Sequence, residues 1–494
     1  MGVIKKQALQ TTMFSYIGLV IGYLNKGALF VILFSTDEVG LINLVVGIGM
    51  LLAQFMSFGV INSTWKFFPY LKNKDNHHHG FLTLNFLLIL AGILVFGLLI
   101  FVFKTPITSF YIEKSSRFSD FYYLIIPLGA ATATHRYLDS YLRAMHKHVV
   151  SIIANDVILR LSTTFLLAVY AFDLISFNGF LYSLAILQFI PGSILIVYLM
   201  KIKEWHISTK DIFIPNRFRK IIFSYSLFSY TNSIGALSIV TIDSMMIASF
   251  LGLGPTGVYT IVLFLIRALM IPYGILVRMS APLISEYWRS RAMNKMDKLY
   301  KEVSSINLVI GLFCFLLFWE SRVELFGFLP DDYTIGIEIF MYLMVGRLFD
   351  AYMGLNTAIL VTSKKYKYDL IFTLSLIILV IILNYYFIPV WGVNGAAIST
   401  TISFILYNLA RLIFIWKHYN IHPFKASNVT IIIFGTITLL IAEWIPQVTD
   451  IAFFSIAIKS AIVFALFAVP LYLLKVEPQL NDYVHNFVSK LKRK

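Results

Sequence analysis

Cysteine and charge are both scarce in this sequence. Cys314 is the only cysteine among 494 residues, and Asp, Glu, Lys and Arg together make up 13%. A single cysteine forms no internal disulfide and provides no cysteine-based metal site. The chain also lacks a Walker motif, a plausible catalytic triad and a soluble segment long enough to hydrolyse ATP. We therefore expect neither an enzyme nor a primary pump, and no metal or cofactor.

Apolar residues make up 59% of the chain, which exceeds the roughly one half that is usual in soluble domains. A helix that spans a bilayer needs ~20 mostly apolar residues, and runs of that length recur from end to end. They predict an all-α integral membrane protein with fourteen transmembrane helices. The predicted spans are 12–34, 39–65, 80–103, 119–142, 149–172, 177–200, 221–250, 256–284, 302–326, 334–361, 368–388, 391–416, 427–445 and 451–474.

The net charge of +15 is distributed in a way that predicts orientation. If the N-terminus is cytoplasmic, most of the 40 Lys and Arg residues fall in inner segments, and the outer loops hold only Lys104, Lys114, Arg117 and Arg322. This bias follows the positive-inside rule. It argues against nucleic-acid binding, because the basic residues are not gathered on one soluble module. We expect a multi-pass protein with both termini in the cytoplasm.

An internal repeat divides the chain into two similar halves. At offsets of 211 to 217 residues, three pairs of positions match: Gly40 with Gly257, RYLDSY at 136–141 with RLFDAY at 347–352, and Asn178–Gly179 with Asn394–Gly395. Copies of six helices each have the same orientation, so an axis along the membrane normal should relate them. The predicted organisation is an N-lobe 1–200, a cytoplasmic linker 201–220, a C-lobe 221–416, two further helices in 427–474 and a basic tail 475–494.

The repeated hexapeptides place an arginine and an aspartate three residues apart in apolar surroundings. Residues i and i+3 share a helix face, so Arg136 can reach Asp139, and Arg347 can reach Asp350. Each pair either neutralises itself inside its lobe, or presents an arginine to a cavity while the aspartate holds it in place. Asp156 and Arg160, four residues apart on the fifth span, could complete such a network.

Two arginines on the eighth span favour an anion site. Arg267 and Arg278 are eleven residues apart, which is close to three helical turns, so on a straight helix they share a face. Neither has an acidic residue three or four positions away. Guanidinium groups bind phosphate in a bidentate fork and keep their charge when desolvated. We therefore expect both side chains to bind an anionic group.

The repeat also places Lys26 of the first span over Asp243 of the seventh. If these helices meet near the pseudo-axis, the two charges could pair in one state and separate in another, or each could be satisfied locally. Arg411 lies near the cytoplasmic end of its span and is expected to snorkel. Lys459 lies deeper, and the sequence suggests no partner for it.

Three segments carry a resemblance to a known family. IDSMMIASFLGLGPTGVYTIVLFLIRALMIPYGILVRMSAPLISEYW at 242–288, TDEVGLINLVVGIGMLLAQFMSFGV at 36–60 and WGVNGAAISTTISF at 391–404 resemble the polysaccharide-transport branch (Wzx-like flippases) of the multidrug/oligosaccharidyl-lipid/polysaccharide exporter superfamily. The resemblance implies a flippase that moves an undecaprenyl-diphosphate-linked oligosaccharide across the bacterial inner membrane by alternating access. The cargo would be an O-antigen, capsule or exopolysaccharide repeat unit.

The resemblance also implies particular residues and partners. An arginine midway along the eighth helix is expected, which Arg267 matches, and a basic residue in the first helix, which Lys26 matches. The helices in 427–474 would form a groove for the polyprenyl tail. Implied partners are the lipid-linked glycan, membrane lipids and glycan polymerase or assembly proteins.

Two other functions remain open. The drug-antiporter branch often has a carboxylate in the first helix, where this chain has Lys26. Asp243 could still couple transport to H⁺ or Na⁺, so a cation-coupled multidrug or small-solute exporter is the alternative. The third possibility is a scaffold of a glycan-assembly complex that transports nothing itself.

Overall fold

The computed structural model describes residues 2–73, 77–209, 212, 215–442, 444, 451–482 and 485. Every regular element within these residues is a helix, so the predicted all-α class is confirmed. Residues 486–494 of the predicted tail, and parts of the predicted linker and of the 443–450 connection, lie outside the described residues.

The chain is a succession of helices. In chain order they are α1 Gly2–Tyr23, α2 Phe30–Leu33, α3 Thr36–Met56, α4 Val60–Leu71, α5 Phe81–Val102, α6 Lys104–Ser109, α7 Arg117–Phe121, α8 Ile125–Ala144, α9 Val149–Ile152, α10 Leu159–Ala171, α11 Phe177–Leu187, α12 Phe189–Lys201, α13 Asn216–Phe250, α14 Leu253–Leu269, α15 Ile271–Ser290, α16 Met293–Glu320, α17 Arg322–Gly327, α18 Gly336–Met353, α19 Asn356–Thr362, α20 Lys367–Tyr419, α21 Ala426–Ala442, α22 Ala452–Val463 and α23 Val469–Leu473. Three pairs of consecutive helices, α1 with α2, α9 with α10 and α22 with α23, are joined by a π-helical segment. The π-helical segments are Leu24–Leu29, Ile153–Ile158 and Phe464–Ala468.

Helices lie over every predicted span, and the chain is a multi-pass membrane protein. Among the described residues, eight helices are long and apolar enough to cross a membrane, or up to nine if the bent pair α14 and α15 forms one span. The 53-residue α20 covers two predicted spans, because the chain turns inside it at Gly392 with φ 59° and ψ −140°. The count of fourteen spans stays a prediction.

The chain packs into two compact units, Met1–Ile261 and Val262–Lys494. The first unit includes α13, which the sequence repeat assigns to the C-lobe. Packing and repeat homology are different criteria, so the predicted lobes and their boundaries stay a prediction.

The first unit is built around α3, which packs against α8 and α13. A capping box starts this helix: Ser35 Oγ accepts the Glu38 N–H at 3.3 Å, and the Glu38 carboxylate accepts the Ser35 N–H at 3.2 Å. These bonds satisfy amides that the first turn leaves without helical partners. The helix therefore begins at a fixed residue.

Helices α3 and α14 touch through the repeat-equivalent glycines. A Cβ placed on Gly40 would overlap the Leu253 carbonyl, and one placed on Gly257 would overlap the Thr36 carbonyl. Each added Cβ would also lie 3.0 Å from the backbone nitrogen of the other glycine. Small residues permit this close approach of two backbones. The reciprocal contact is the geometry that a two-fold relation between the repeats predicts.

The second unit is built around α18, which packs against α20 and α16. Gly346 of α18 lies against Thr401 of α20, where an added Cβ would be 3.0 Å from the Thr401 Cα. The Thr401 hydroxyl donates a hydrogen bond to the Tyr342 carbonyl at 2.6 Å. This tight packing fixes the helix that carries Arg347 and Asp350.

Candidate functional site

In the second unit, Arg347 and Asp350 form the ion pair that the sequence predicts. Arg347 Nη1 lies 3.9 Å from Asp350 Oδ2, and the guanidinium lies 4.3 Å from the centre of the Phe404 ring. The Asn408 side-chain amide donates to the other Asp350 oxygen at 3.0 Å. Asp350 is thus held from α18 and α20 together, and it holds the half-buried Arg347 against an aromatic face.

The equivalent pair in the first unit is arranged differently. Arg143 Nη2 lies 3.0 Å from Asp139 Oδ2, and His148 Nδ1 lies 2.7 Å from Asp139 Oδ1. Arg136 instead donates to Gln54 Oε1 at 3.5 Å. Within the described part of the chain no ion pair joins Arg136 to Asp139, so the predicted self-paired arginine is wrong here.

The reason for this difference is visible in the sequence one turn further on. Arg143 competes for Asp139 from position i+4 on the same helix. At the repeat offset of 211, its counterpart is Gly354, which has no charge to offer Asp350. Arg347 therefore keeps its aspartate, whereas Arg136 turns to a neutral amide. This amide accepts one hydrogen bond from the guanidinium and brings no opposite charge.

A polar cluster between the first and fifth predicted spans was not recognised from the sequence. The Asn25 amide donates to the Arg160 carbonyl at 2.9 Å, and its oxygen accepts the Thr164 hydroxyl at 2.8 Å. Arg160 Nη1 donates to the Gly18 carbonyl, and Arg160 Nη2 lies 3.8 Å from Asp156 Oδ1. These bonds join the two helices through polar groups.

The sequence did contain a signal for this cluster. Gly18 and Gly22 are four residues apart, the spacing of small residues that lets membrane helices approach closely. A Cβ on Gly22 would overlap the Arg160 guanidinium, and one on Gly18 would overlap the Asp156 backbone. The two glycines make the room in which Arg160 lies.

Both helices of this cluster have π-helical turns beside it. The segment Leu24–Leu29 contains Asn25 and the half-buried Lys26, and Ile153–Ile158 contains Asp156. Single π-helical turns inside α-helices occur frequently at functional sites. Lys26, a predicted substrate-binding residue, therefore lies next to the polar contact between these helices.

Asp243, the predicted gating residue, is buried on α13 with 1% of its surface exposed. The hydroxyl of the fully buried Tyr259 donates to Asp243 Oδ2 at 2.8 Å. Asp243 and Lys26 belong to the same unit. Their pairing in one conformational state stays a prediction.

The eighth predicted span is broken, so the expected straight stripe of arginines is wrong. Helix α14 ends at Leu269 and α15 begins at Ile271, with their axes bent by 51°. Pro272 lies in the first turn of α15, where its missing N–H costs nothing, whereas continuing α14 through it would cost a hydrogen bond and a clash. Arg267 therefore lies in the last turn of one helix and Arg278 on the next.

Both arginine side chains are exposed. Arg267 lies at a helix C-terminus, where the helix dipole favours a cation. Arg278 extends along its own helix towards Gly274. Tyr273 lies between the two arginines in sequence, in the first turn of α15. Its hydroxyl donates to the Gly354 carbonyl at 3.4 Å. This contact joins the start of α15 to the end of α18, the helix of Arg347.

Two other charges in predicted spans have partners far away in sequence. Arg411 is 1% exposed and pairs with the buried Asp369, and its Nη1 donates to Thr357. The expectation that Arg411 snorkels to the interface is therefore wrong, because a buried carboxylate on the same kinked helix compensates it. Lys459 Nζ lies 2.5 Å from Glu324 Oε1.

Comparison with known proteins gives the fold. No protein-family model matches the chain, and no curated protein matches it significantly. A solved structure of the lipid II flippase MurJ in an inward closed conformation has a TM-score of 0.70 at 16% identity, covering 94% of this chain and 99% of the flippase. An inward-facing multidrug resistance MATE family transporter of the MOP superfamily has a TM-score of 0.64 at 13% identity, covering 84% of this chain and 98% of the transporter. The chain has the fold of MOP superfamily transporters.

Proposed function

We propose that this protein is a flippase for an undecaprenyl-diphosphate-linked oligosaccharide in the bacterial inner membrane. It would move an O-antigen, capsule or exopolysaccharide repeat unit by alternating access. The fold shared with a lipid II flippase supports this proposal. So does the excess of basic over acidic groups in the broken eighth span. The proposed function is transport, and it involves no chemical reaction of the substrate.

The observation that carries the proposal is the exposure of Arg267 and Arg278 within a predicted membrane span. A charge exposed to hydrocarbon costs at least ~2.5–3.5 kcal/mol, so such side chains face a water-filled cavity or a polar ligand. The Arg278 guanidinium forms no hydrogen bond or ion pair with any residue that the structure describes. Its donors are available for an anion, and a diphosphate offers the bidentate oxygen pairs that guanidinium prefers.

We propose that Arg347, Arg136 and Lys26 also bind the substrate. Asp350 holds the Arg347 guanidinium beside Phe404, which leaves its other donors for substrate. Arg136 has only a neutral partner among the described residues. Its positive charge is therefore available to attract an approaching anion. The helices α21 to α23 would then receive the polyprenyl tail.

The first test is the lipid-linked oligosaccharide pool of cells with and without this protein. We expect one complete polyprenyl-linked repeat unit to accumulate on its loss, measured by mass spectrometry of extracted lipids. Re-supplying the wild type should clear that pool. Arg278→Ala should clear it about tenfold more slowly, because hydrogen bonds to charged groups contribute ~1.5–3 kcal/mol.

Arg289→Ala is the matched control, since Arg289 is an exposed arginine on the same helix, near its C-terminal end. It should clear the pool as the wild type does. An unchanged pool in cells without the protein would contradict the flippase proposal. Full function of Arg278→Ala and Arg267→Ala together would contradict the anion site and favour an assembly scaffold.

The alternative, a cation-coupled multidrug or small-solute exporter, is favoured by one observation. Asp243 is a buried carboxylate in a predicted span with a tyrosine donor, and such groups serve as proton or cation sites in transporters. Everted vesicles containing the protein would then accumulate a cationic dye in response to a H⁺ or Na⁺ gradient. Asp243→Asn would abolish that accumulation, whereas a flippase without such coupling would show none in the wild type.

A further inference from the structure

A cavity of about 570 Å³ lies in the first unit between the α3–α4 turn, α5 and the start of α13. This volume is within the range of small-molecule sites. Its walls are mostly apolar and include Phe58, Leu84, Leu88, Ile222 and Phe223. Leu88 and Phe223 are exposed, 40% and 71% respectively, so the cavity opens to the surface beside them.

The cavity exists because the second predicted span is broken. After α3 ends at Met56, Phe58 and Gly59 take left-handed conformations, with φ of 43° and 74°. The turn directs the Phe58 ring towards the cavity. A Cβ on Gly59 would overlap the Ser226 carbonyl of α13. The cavity is therefore a built feature of this turn, at a position that requires glycine.

Among the described residues that line this mostly apolar cavity, one is a cation, and Asn85, Ser226 and Tyr230 add neutral polar groups. Arg219, in the first turns of α13, lines the cavity and is exposed. The first turn of α13 contains no acidic residue, and the Arg219 side chain forms no ion pair or hydrogen bond with any residue in the described ranges. The positive-inside bias predicts that this end of α13 is cytoplasmic, where anionic lipids give the leaflet a negative potential.

We propose that this cavity binds an anionic phospholipid of the bilayer, with one acyl chain against the apolar wall and the phosphate on Arg219. An exposed apolar wall and a basic residue at the membrane boundary match the two parts of such a lipid. The volume suits one acyl chain, whereas a polyprenyl diphosphate with its glycan is larger. Neither arginine of the broken eighth span lines the cavity, and the proposed lipid site does not depend on the proposed flippase activity.

The test is native mass spectrometry of the purified, delipidated full chain. It is titrated with phosphatidylglycerol or phosphatidylcholine carrying identical acyl chains. We expect phosphatidylglycerol to bind more tightly. Arg219→Ala should weaken it about fivefold, the effect of one basic residue at an anionic surface, and remove the difference between the two lipids. Arg217→Ala, an exposed arginine two residues away that does not line the cavity, should change neither affinity.

The apolar half of the site has its own matched pair of variants. Leu88→Trp fills the cavity and should weaken both lipids, whereas Leu87→Trp, equally exposed but outside the cavity, should weaken neither. The thermal unfolding midpoint of each variant shows whether it is folded, and Arg219→Gln replaces Arg219→Ala if that variant is not. Equal affinity for the two lipids, equal effects of Arg217→Ala and Arg219→Ala, or displacement of phosphatidylglycerol by equimolar undecaprenyl phosphate would each overturn the proposal.

Discussion

Individual charges in the predicted spans differ in how far they are buried. The buried ones have a partner: Arg411 pairs with Asp369, and the Tyr259 hydroxyl donates to Asp243. Such compensation is required, because an ion buried without a partner costs several kcal/mol. The exposed ones, Arg267 and Arg278, lie on the helix that the chain breaks. The buried charges are therefore held within the protein, and the exposed arginines are the ones for which we propose a ligand.

The Arg411–Asp369 pair gives a prediction for stability. Arg411→Met should lower the free energy of unfolding by ~3–5 kcal/mol, because Asp369 is then buried without a counter-charge. The midpoint of thermal unfolding of the detergent-solubilised protein measures the effect.

The double variant Arg411→Met with Asp369→Leu is the control. Replacing both charges with apolar side chains should restore most of the lost stability, since a buried ion pair often contributes little net free energy. If the double variant is as unstable as the single one, the pair contributes more than mutual compensation, and Thr357 is the next contact to test.

Residue pairs close in sequence could be predicted, and pairs that depend on tertiary structure could not. The Arg347–Asp350 pair follows from the i, i+3 spacing and is confirmed. Asp139 has the same spacing to Arg136, but it pairs with Arg143 one turn further on and with His148, which reaches it from beyond the end of α8. Lys459 lies 135 residues from its partner, a distance at which no helix periodicity applies. The predicted roles of these residues in transport stay predictions.

Among the helices, glycine contacts decide how closely two of them approach. Gly257→Ala should destabilise the protein by ~1–3 kcal/mol, because its Cβ would overlap the Thr36 carbonyl of α3, and forcing atoms into a packed contact costs that much. A lower thermal unfolding midpoint would report this.

Gly97→Ala is the matched control on α5. Its added Cβ would meet nothing nearer than 3.5 Å, and alanine favours a helix interior over glycine by ~1 kcal/mol. Its midpoint should therefore stay the same or rise. A Gly257→Ala protein as stable as Gly97→Ala would show that α3 and α14 separate freely.

Helix positions could be predicted from apolar runs, and most breaks inside the predicted spans could not. The predicted connection between the spans 368–388 and 391–416 lies within a few residues of the turn at Gly392. Hydropathy is averaged over a window about as long as a span, so it does not show the break after Met56 inside the second span. The π-helical turns at Leu24–Leu29 and Ile153–Ile158 have no composition of their own. Pro272, in the first turn of α15, is a residue type that marks many such bends.

The whole molecule has an orientation that its lone cysteine makes testable. Cys314 is half-buried, and Cys314→Ser provides a background for single added cysteines. In intact spheroplasts, an impermeant maleimide should label Lys114→Cys, because the positive-inside bias predicts that loop to be external. Lys364→Cys should be labelled only after permeabilisation. Both positions are exposed.

The labelling pattern also tests the number of spans between the two sites. The prediction places an odd number of spans between 114 and 364, which puts the two positions on opposite sides. Labelling of both cysteines from the same side would show that one span is missing or supernumerary in that interval. Labelling of the unaltered protein, in which Cys314 is the only cysteine, shows how much maleimide Cys314 itself takes up.

The reciprocal contact of Gly40 and Gly257 has a consequence for the history of the chain. If the two halves arose by gene duplication, the half-length ancestor was a homodimer, and this glycine lay beside the symmetry axis and met its own copy. Any substitution there would have entered the interface twice. Fusion of the halves removed that constraint, so each glycine could afterwards mutate alone. Both positions still carry glycine, which is the outcome expected if the backbone contact itself, and no side chain, is what selection has kept.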